Sequence, residues 1–219
     1  METRLSRRQF ERLLVTAPPG ALAIAFGGQR VLAQSDGEAT PSANGTPVLA
    51  PTPACADEDD LEETLPQTEG PFYSPDTPER TSLLEPDMPG TRLLVTGYVY
   101  STDCTPISGA LLDFWQADDG GVYDNEGFRL RGHQFTDDDG RFELETIVPG
   151  LYPGRTRHIH VKAQAANQSV LTTQLYFPDE PANDADGIFD PALLVELDDA
   201  DADADNGKVA FFTFVLTQD

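Results

Sequence analysis

The chain has 219 residues and a formal charge of −24, with 38 acidic residues against 14 Lys and Arg. A surface this acidic excludes nucleic acid and anionic membrane as partners and favours solubility, but it says little about chemistry. Two cysteines so far apart do not make a zinc site, and no P-loop, GxSxG, HExxH or paired CxxC motif is present.

The first 33 residues read as an export signal. Arg7 and Arg8 in "SRRQF" precede a mildly apolar stretch and a small-residue site at Val31-Leu32-Ala33. This is the order of a secretory signal, and the paired arginines resemble the twin-arginine motif. The expected product is an exported protein, in the periplasm, outside the cell or at its surface, with an uncleaved anchor as the alternative. Twin-arginine export carries folded proteins that often hold a cofactor already. The segment 1–33 contains five Arg and two Glu, so the remainder carries about −27. Residues 34–64, rich in Pro, Ala and Thr and then acidic, read as a disordered linker. The sequons at Asn44 and Asn167 carry no weight beside a bacterial export signal.

Residues 65–219 are one domain's length. Alternating or apolar runs recur at 92–101, 110–116, 141–147, 157–164, 170–177 and 208–217, separated by turn-rich segments and with no helical period. The pattern predicts an all-β fold, a single β-sandwich without membrane insertion, and leaves room for a homo-oligomer. Its long loops, 117–140 and 178–207, are where a rigid sandwich carries its site. In an oxidising compartment Cys55 and Cys104 would close a disulfide that pins the domain's N-terminal segment to its first hairpin, with two buried thiols as the alternative. "DDADADADNG" at 198–207 has a calcium-like alternation at Asp201, Asp203 and Asp205. However, Asn206 breaks the order and no glutamate follows at the right distance, so an acidic hairpin is the expectation.

Two of the three histidines stand in "RHIHVKAQ", where strand alternation puts His158 and His160 on one face and Ile159 and Val161 on the other. Neighbouring imidazoles on one face suit neutral rings sharing a cation, or else an exposed structural pair. Tyr123, in a polar glycine-containing loop, and Tyr152, in a turn after "VPG", add two potential phenolates. Two such hard anionic oxygens would favour a ferric over a ferrous ion. Arg129, Arg131, Arg141, Arg155, Arg157 and Lys162 crowd the same stretch and would create a local positive field. A zinc site of His133, His158 and His160 is the competing grouping, but it would leave both tyrosines and Arg155 without roles.

The ordered stretches "QTEGPFY" (67–73), "DCTPISGALLDFWQADDGGVYD" (103–124), "FRLRGHQFTDDDGRFELETIVPGLYPGRTRHIHV" (128–161) and "LTTQLYF" (171–177) resemble the intradiol ring-cleavage dioxygenases, especially exported single-domain members. The resemblance implies an iron(III) enzyme. It would open a small aromatic diol between its two hydroxylated carbons with O2, giving a muconate-type diacid. By motif, the resemblance makes Tyr123, Tyr152, His158 and His160 the metal ligands and Arg155, Tyr152 and Gln174 the catalytic groups. Tyr152 would leave the iron and take a substrate proton, and Arg155 would stabilise developing negative charge. "WQADDGGVYD" stands where many relatives have a histidine and a cysteine near the first tyrosine, which bears on substrate preference. The reading from another class is a non-catalytic exported β-sandwich that binds at a surface.

Overall fold

A computed structural model describes residues 61–200 and 207–218. The six alternating runs form strands at almost the expected bounds: β1 Arg92–Ser101, β2 Leu111–Trp115, β4 Arg141–Ile147, β5 His158–Gln164, β6 Leu171–Tyr176 and β8 Lys208–Leu216. Two further strands lie inside the stretches expected to be loops, β3 Arg131–Phe135 and β7 Glu196–Asp199. Neither shows an apolar alternation. The buried positions of β3 that face the core are Gly132 and Gln134, and β7 is an acidic, mostly exposed strand beside β8.

The strands pair as two four-stranded sheets, β4-β1-β8-β7 and β3-β2-β5-β6. Every pairing is antiparallel except β1 with β8. Apolar residues at alternate positions of both sheets fill the space between them. Leu93, Val95, Leu144 and Phe214 come from one sheet, and Leu112, Phe114, Val161 and Leu175 from the other. Phe114 meets Phe142 across the interior at 5.9 Å between ring centroids, and Phe142 packs on Phe214 at 5.6 Å. Burying such rings and aliphatic side chains between the sheets supplies much of the favourable free energy of folding.

The opposite face of the second sheet positions the site. Register places Arg131, Trp115, His160 and Gln174 in one row across β3, β2, β5 and β6. Such a face would normally meet solvent, but the chain leading into β1 covers it. Gln67 N donates to Thr172 O at 2.8 Å beside β6, and further along Arg80 N donates to His133 O at 2.8 Å beside β3. The segment between these anchors crosses the row. The stretch expected to be linker is docked at its end, because Leu61 N donates to Thr102 O and Thr64 N to Val215 O.

The export signal, most of the linker, Cys55 and the acidic residues Asp201, Asp203 and Asp205 lie outside the described residues. The base of the acidic hairpin is formed as expected, with Asp199 paired to Lys208. Among the described residues no helix is long and apolar enough to cross a membrane.

Candidate metal centre

His158 and His160 project from β5 onto the covered face, while Ile159 and Val161 are buried in the core on the other side. Both imidazoles are almost fully enclosed, at 4% and 3% exposure. The His158 ring is oriented by its own strand end: Nδ1 lies 2.6 Å from Thr156 O. A carbonyl only accepts, so Nδ1 carries the hydrogen and Nε2 presents a bare lone pair. The His160 ring is held differently, lying parallel to the Trp115 indole at 4.7 Å and 7°. Gly70 of the covering segment sits over it, where a Cβ would come 3.5 Å from Cε1.

Tyr123 and Tyr152 arrive on two loops clasped together by backbone. Asp118 folds the first, its Oδ1 accepting from Gly120 N and Val122 N at 3.0 Å each. The second docks through Gly150 N, which donates to Asp118 O at 2.7 Å. The approach needs glycine on both sides. A Cβ on Gly150 would lie 2.4 Å from Asp119 O, and one on Gly121, at φ +81°, would lie 2.2 Å from Leu151 O. The clasp brings the tyrosine rings to 5.9 Å, with Phe72 of the covering segment stacked on Tyr123 at 4.6 Å and edge-on to Tyr152 at 5.3 Å.

Three of the four expected ligands thereby converge within hydrogen-bond distance. The Tyr123 hydroxyl lies 3.1 Å from His158 Nε2, which lies 3.2 Å from His160 Nε2. Tyr152 joins through its ring contacts. Burial lowers His158 to about 4, helped by the Arg155 charge, and pushes His160 well below the usual value, helped by His158, Arg155 and Arg131. Both rings are therefore neutral at neutral pH. Burial also raises the Tyr123 phenol, against the pull of Arg155 and Arg131, so the protein alone keeps it protonated. Among the described residues, His160 Nδ1 is buried with no partner.

This donor set fits a cation. Two neutral imidazoles with their Nε2 atoms turned to each other, and a phenol oxygen, at neighbouring separations of about 3 Å, match neighbouring ligand atoms on an ion with bonds of roughly 2.1 Å. A cation is also what would ionise a phenol that burial keeps neutral. His133 does not take part. It lies one row away on β3, opposite Asp113, with Nδ1 3.2 Å from Thr77 Oγ1. Among the described residues no three His, Cys, Asp or Glu side chains are grouped to hold a metal, so the three-histidine zinc grouping does not form.

Arg155 and Gln174 meet as a pair beside the histidines. Arg155 Nη2 donates to Gln174 Oε1 at 2.7 Å and approaches the Tyr176 hydroxyl at 3.3 Å, and Gln174 Nε2 donates to Thr68 O at 2.8 Å. The other cations are engaged elsewhere: Arg129 with Asp118 and Glu85, Arg141 with Glu143, Arg157 with Glu180 and Lys162 with Glu69. The broad positive field expected from the sequence is thus largely neutralised. Among the described residues, Arg155 and Arg131 are the cations that act on Tyr123 and His160.

Residues 68–218 match the sequence model of the Dioxygenase family, Dioxygenase_C. The hydroxyquinol 1,2-dioxygenase of Rhizobium sp. (strain MTP-10005) is 32% identical, over 55% of this chain and 50% of that protein. The chlorocatechol 1,2-dioxygenase of Rhodococcus opacus is 28% identical, over 68% of this chain and 70% of that protein. The chain belongs to the intradiol ring-cleavage dioxygenases. It spans about half the length of the hydroxyquinol relative. Among solved structures, it resembles the dioxygenase domain of a dioxygenase carbohydrate-binding protein fusion from the cellulolytic bacterium Streptomyces sp. SirexAA-E. That likeness has 57% sequence identity and a TM-score of 0.69, over 72% of this chain and all of that one. Tyr123, Tyr152, Arg155, His158, His160 and Gln174 all fall inside the intradiol dioxygenase span.

Other site residues lay outside the expectation from sequence. Trp115, Phe72 and Gly70 enclose the imidazoles and Tyr123, and Asp186 and Tyr176 hold Arg155. The run "QTEGPFY" carried a signal for the covering segment, because a glycine beside two aromatics in a segment without periodicity suggests close approach to something. Nothing local marks Asp186 among so many acidic residues.

Proposed function

We propose that this protein is an iron(III)-dependent intradiol dioxygenase that opens a catechol-type ring between its hydroxylated carbons, placing one atom of O2 in each new carboxyl group. The observation that carries this reading is the continuous contact from the Tyr123 hydroxyl through His158 Nε2 to His160 Nε2, at 3.1 and 3.2 Å. Tyr123, Tyr152, His158 and His160 would hold the ferric ion. When bound, that ion would take both catechol oxygens and make the ring reactive toward O2.

The chain's own groups account for the rest. His158 and His160 stay in place because Thr156 O and Trp115 fix their rings. Tyr152, only partly buried where Tyr123 is buried, would move aside and accept the second substrate proton. Arg155 aims a fixed charge at the site, where it stabilises negative charge building on a ring oxygen. Phe72 and Trp115 exclude water from the inner side. Val122 and Leu151, 64% and 48% exposed, form an apolar rim next to the two tyrosines, which suits the entry of an aromatic ring.

Export through the twin-arginine route and a Cys55–Cys104 bridge complete the proposal. Cys104 stands in the turn after β1, and two reactive thiols in the unfolded, unreduced protein would reject the bridge. A plant-derived catechol agrees with export and with the cellulolytic origin of the Streptomyces relative. The reading is tested by metal analysis and visible absorption of the purified protein. About one iron per chain with a tyrosinate band that is lost in Tyr123→Phe is expected. Colourless, iron-free protein that stays inactive after loading with iron would overturn it.

A further inference from the structure

The loop between β6 and β7 carries a carboxylate that the chemistry above does not use. Asp186 follows the 3-10 turn Pro181–Ala185 and is buried. Its Oδ2 accepts from Arg155 Nε at 2.8 Å and from Thr156 N at 2.9 Å, and its Oδ1 from Ile188 N at 3.2 Å. Despite burial, these donors hold the carboxyl below its usual range, so it is ionised. Two backbone N–H groups thus fix the carboxylate before the guanidinium meets it. One of them belongs to the residue after Arg155.

A guanidinium is a planar fork, and fixing two of its edges fixes the third. Asp186 takes Nε, and Gln174 with Tyr176 takes Nη2. Among the described residues Nη1 has no acceptor, which leaves it as the edge offered to a ligand. Without Asp186 the long side chain regains rotamers and is held through Nη2 only, by Gln174 and the Tyr176 hydroxyl. Gln174 gives direction but no charge to offset the desolvation of a cation whose side chain is only 20% exposed.

We propose that Asp186 is the positioning residue for Arg155. It acts by pinning Nε so that Nη1 faces the bound aromatic, and it does not itself touch substrate. Its effect on rate rests on the dioxygenase reading, whereas its hold on the guanidinium does not.

Two measurements test it. In the iron-free wild-type protein, nitrogen-15 NMR should find the Arg155 Nε–H slowed in exchange with water, and Asp186→Asn should release it. In iron-loaded protein turning over catechol, Asp186→Asn should lower kcat about 10- to 100-fold with KM changed less than threefold. In an Arg155→Ala background the same substitution should change kcat less than twofold, because the group it positions is gone. An equal loss in both backgrounds, or an Nε–H that exchanges freely in the wild type, would overturn the assignment. Wild-type protein that holds iron yet never consumes catechol would instead count against the dioxygenase reading, and Asp186 would then be judged by the NMR result. If Asp186→Asn does not fold, the wild-type exchange measurement and Asp186→Glu, which keeps the charge at a different reach, decide the matter.

Discussion

His158 and His160 present their Nε2 atoms to each other at 3.2 Å, and different neighbours lock the two rings, a backbone carbonyl for one and a stacked indole for the other. Two ring nitrogens held this close on neutral imidazoles can share a cation between them. His160→Ala should therefore lower iron occupancy at least tenfold and abolish turnover, while circular dichroism keeps the sandwich signature. Full iron loading in this variant would contradict the ligand assignment.

The two tyrosines differ in confinement and should differ in effect. Tyr123 is buried against Phe72 and His158, whereas Tyr152 sits on the half-open turn. Tyr123→Phe should lose most colour and iron. Tyr152→Phe should keep iron and part of the colour but turn over about 10²- to 10⁴-fold more slowly, since a proton acceptor has gone. Stopped-flow absorption during catechol binding separates them, and wild-type turnover by Tyr152→Phe would refute the division of roles.

Acid should act through the histidine pair. Burial holds His158 to about 4 and His160 low in the folded protein, against roughly 6.5 in an unfolded chain. Between those values the unfolded chain binds protons that the folded one refuses. Stability is therefore complete above about pH 6.5 and is lost as pH falls toward about 4. The iron-free wild type should show a thermal midpoint that drops steeply from pH 7 to 4.5, and a His158→Asn, His160→Asn double variant a visibly flatter profile. Identical profiles would show that the histidines are not responsible.

What the sequence made legible was whatever repeats at short range. The period of two in "HIHV" put His158 and His160 on one face and Ile159 and Val161 in the core, as found. The same alternation located six strands. It could not locate β3, whose core-facing positions are Gly132 and Gln134, nor β7, which is acidic and mostly exposed. Tyr123 and Tyr152 were legible as candidates only through oddity and resemblance. Their juxtaposition depends on a backbone clasp between Asp118 and Gly150 that has no one-dimensional signature. Segment 66–80 was legible only in the glycine and aromatics of "QTEGPFY"; its covering role depends on the row Trp115, His160 and Gln174, residues far away in the chain. Counting basic residues likewise misjudged the field, because their acidic partners, among them Glu69, Asp118, Glu180 and Asp186, come from other segments.

The clasp itself can be broken by one methyl group. Gly150→Ala would set a Cβ 2.4 Å from both Asp119 O and Gly121 N, a clash against backbone that only loop displacement relieves. The tyrosine-bearing loops should part, so iron affinity falls and the tyrosinate band weakens, while the core around Phe114, Phe142 and Phe214 keeps its near-ultraviolet signature. Gly154→Ala serves as the control, since nothing lies within 4 Å of a Cβ there although φ is +79°. Strain at that position is expected to cost about 1 kcal/mol of stability and to leave the absorption band intact. Equal loss of the band in both variants would show that the clasp does not set the site.

Mass spectrometry of the product formed from catechol under oxygen-18 gas shows whether the ring opens between its two hydroxylated carbons. A muconate-type diacid bearing two labelled atoms, one in each carboxyl group, is expected. A ring cut beside the hydroxylated carbons, or an iron-loaded protein that consumes neither catechol nor O2, would contradict it.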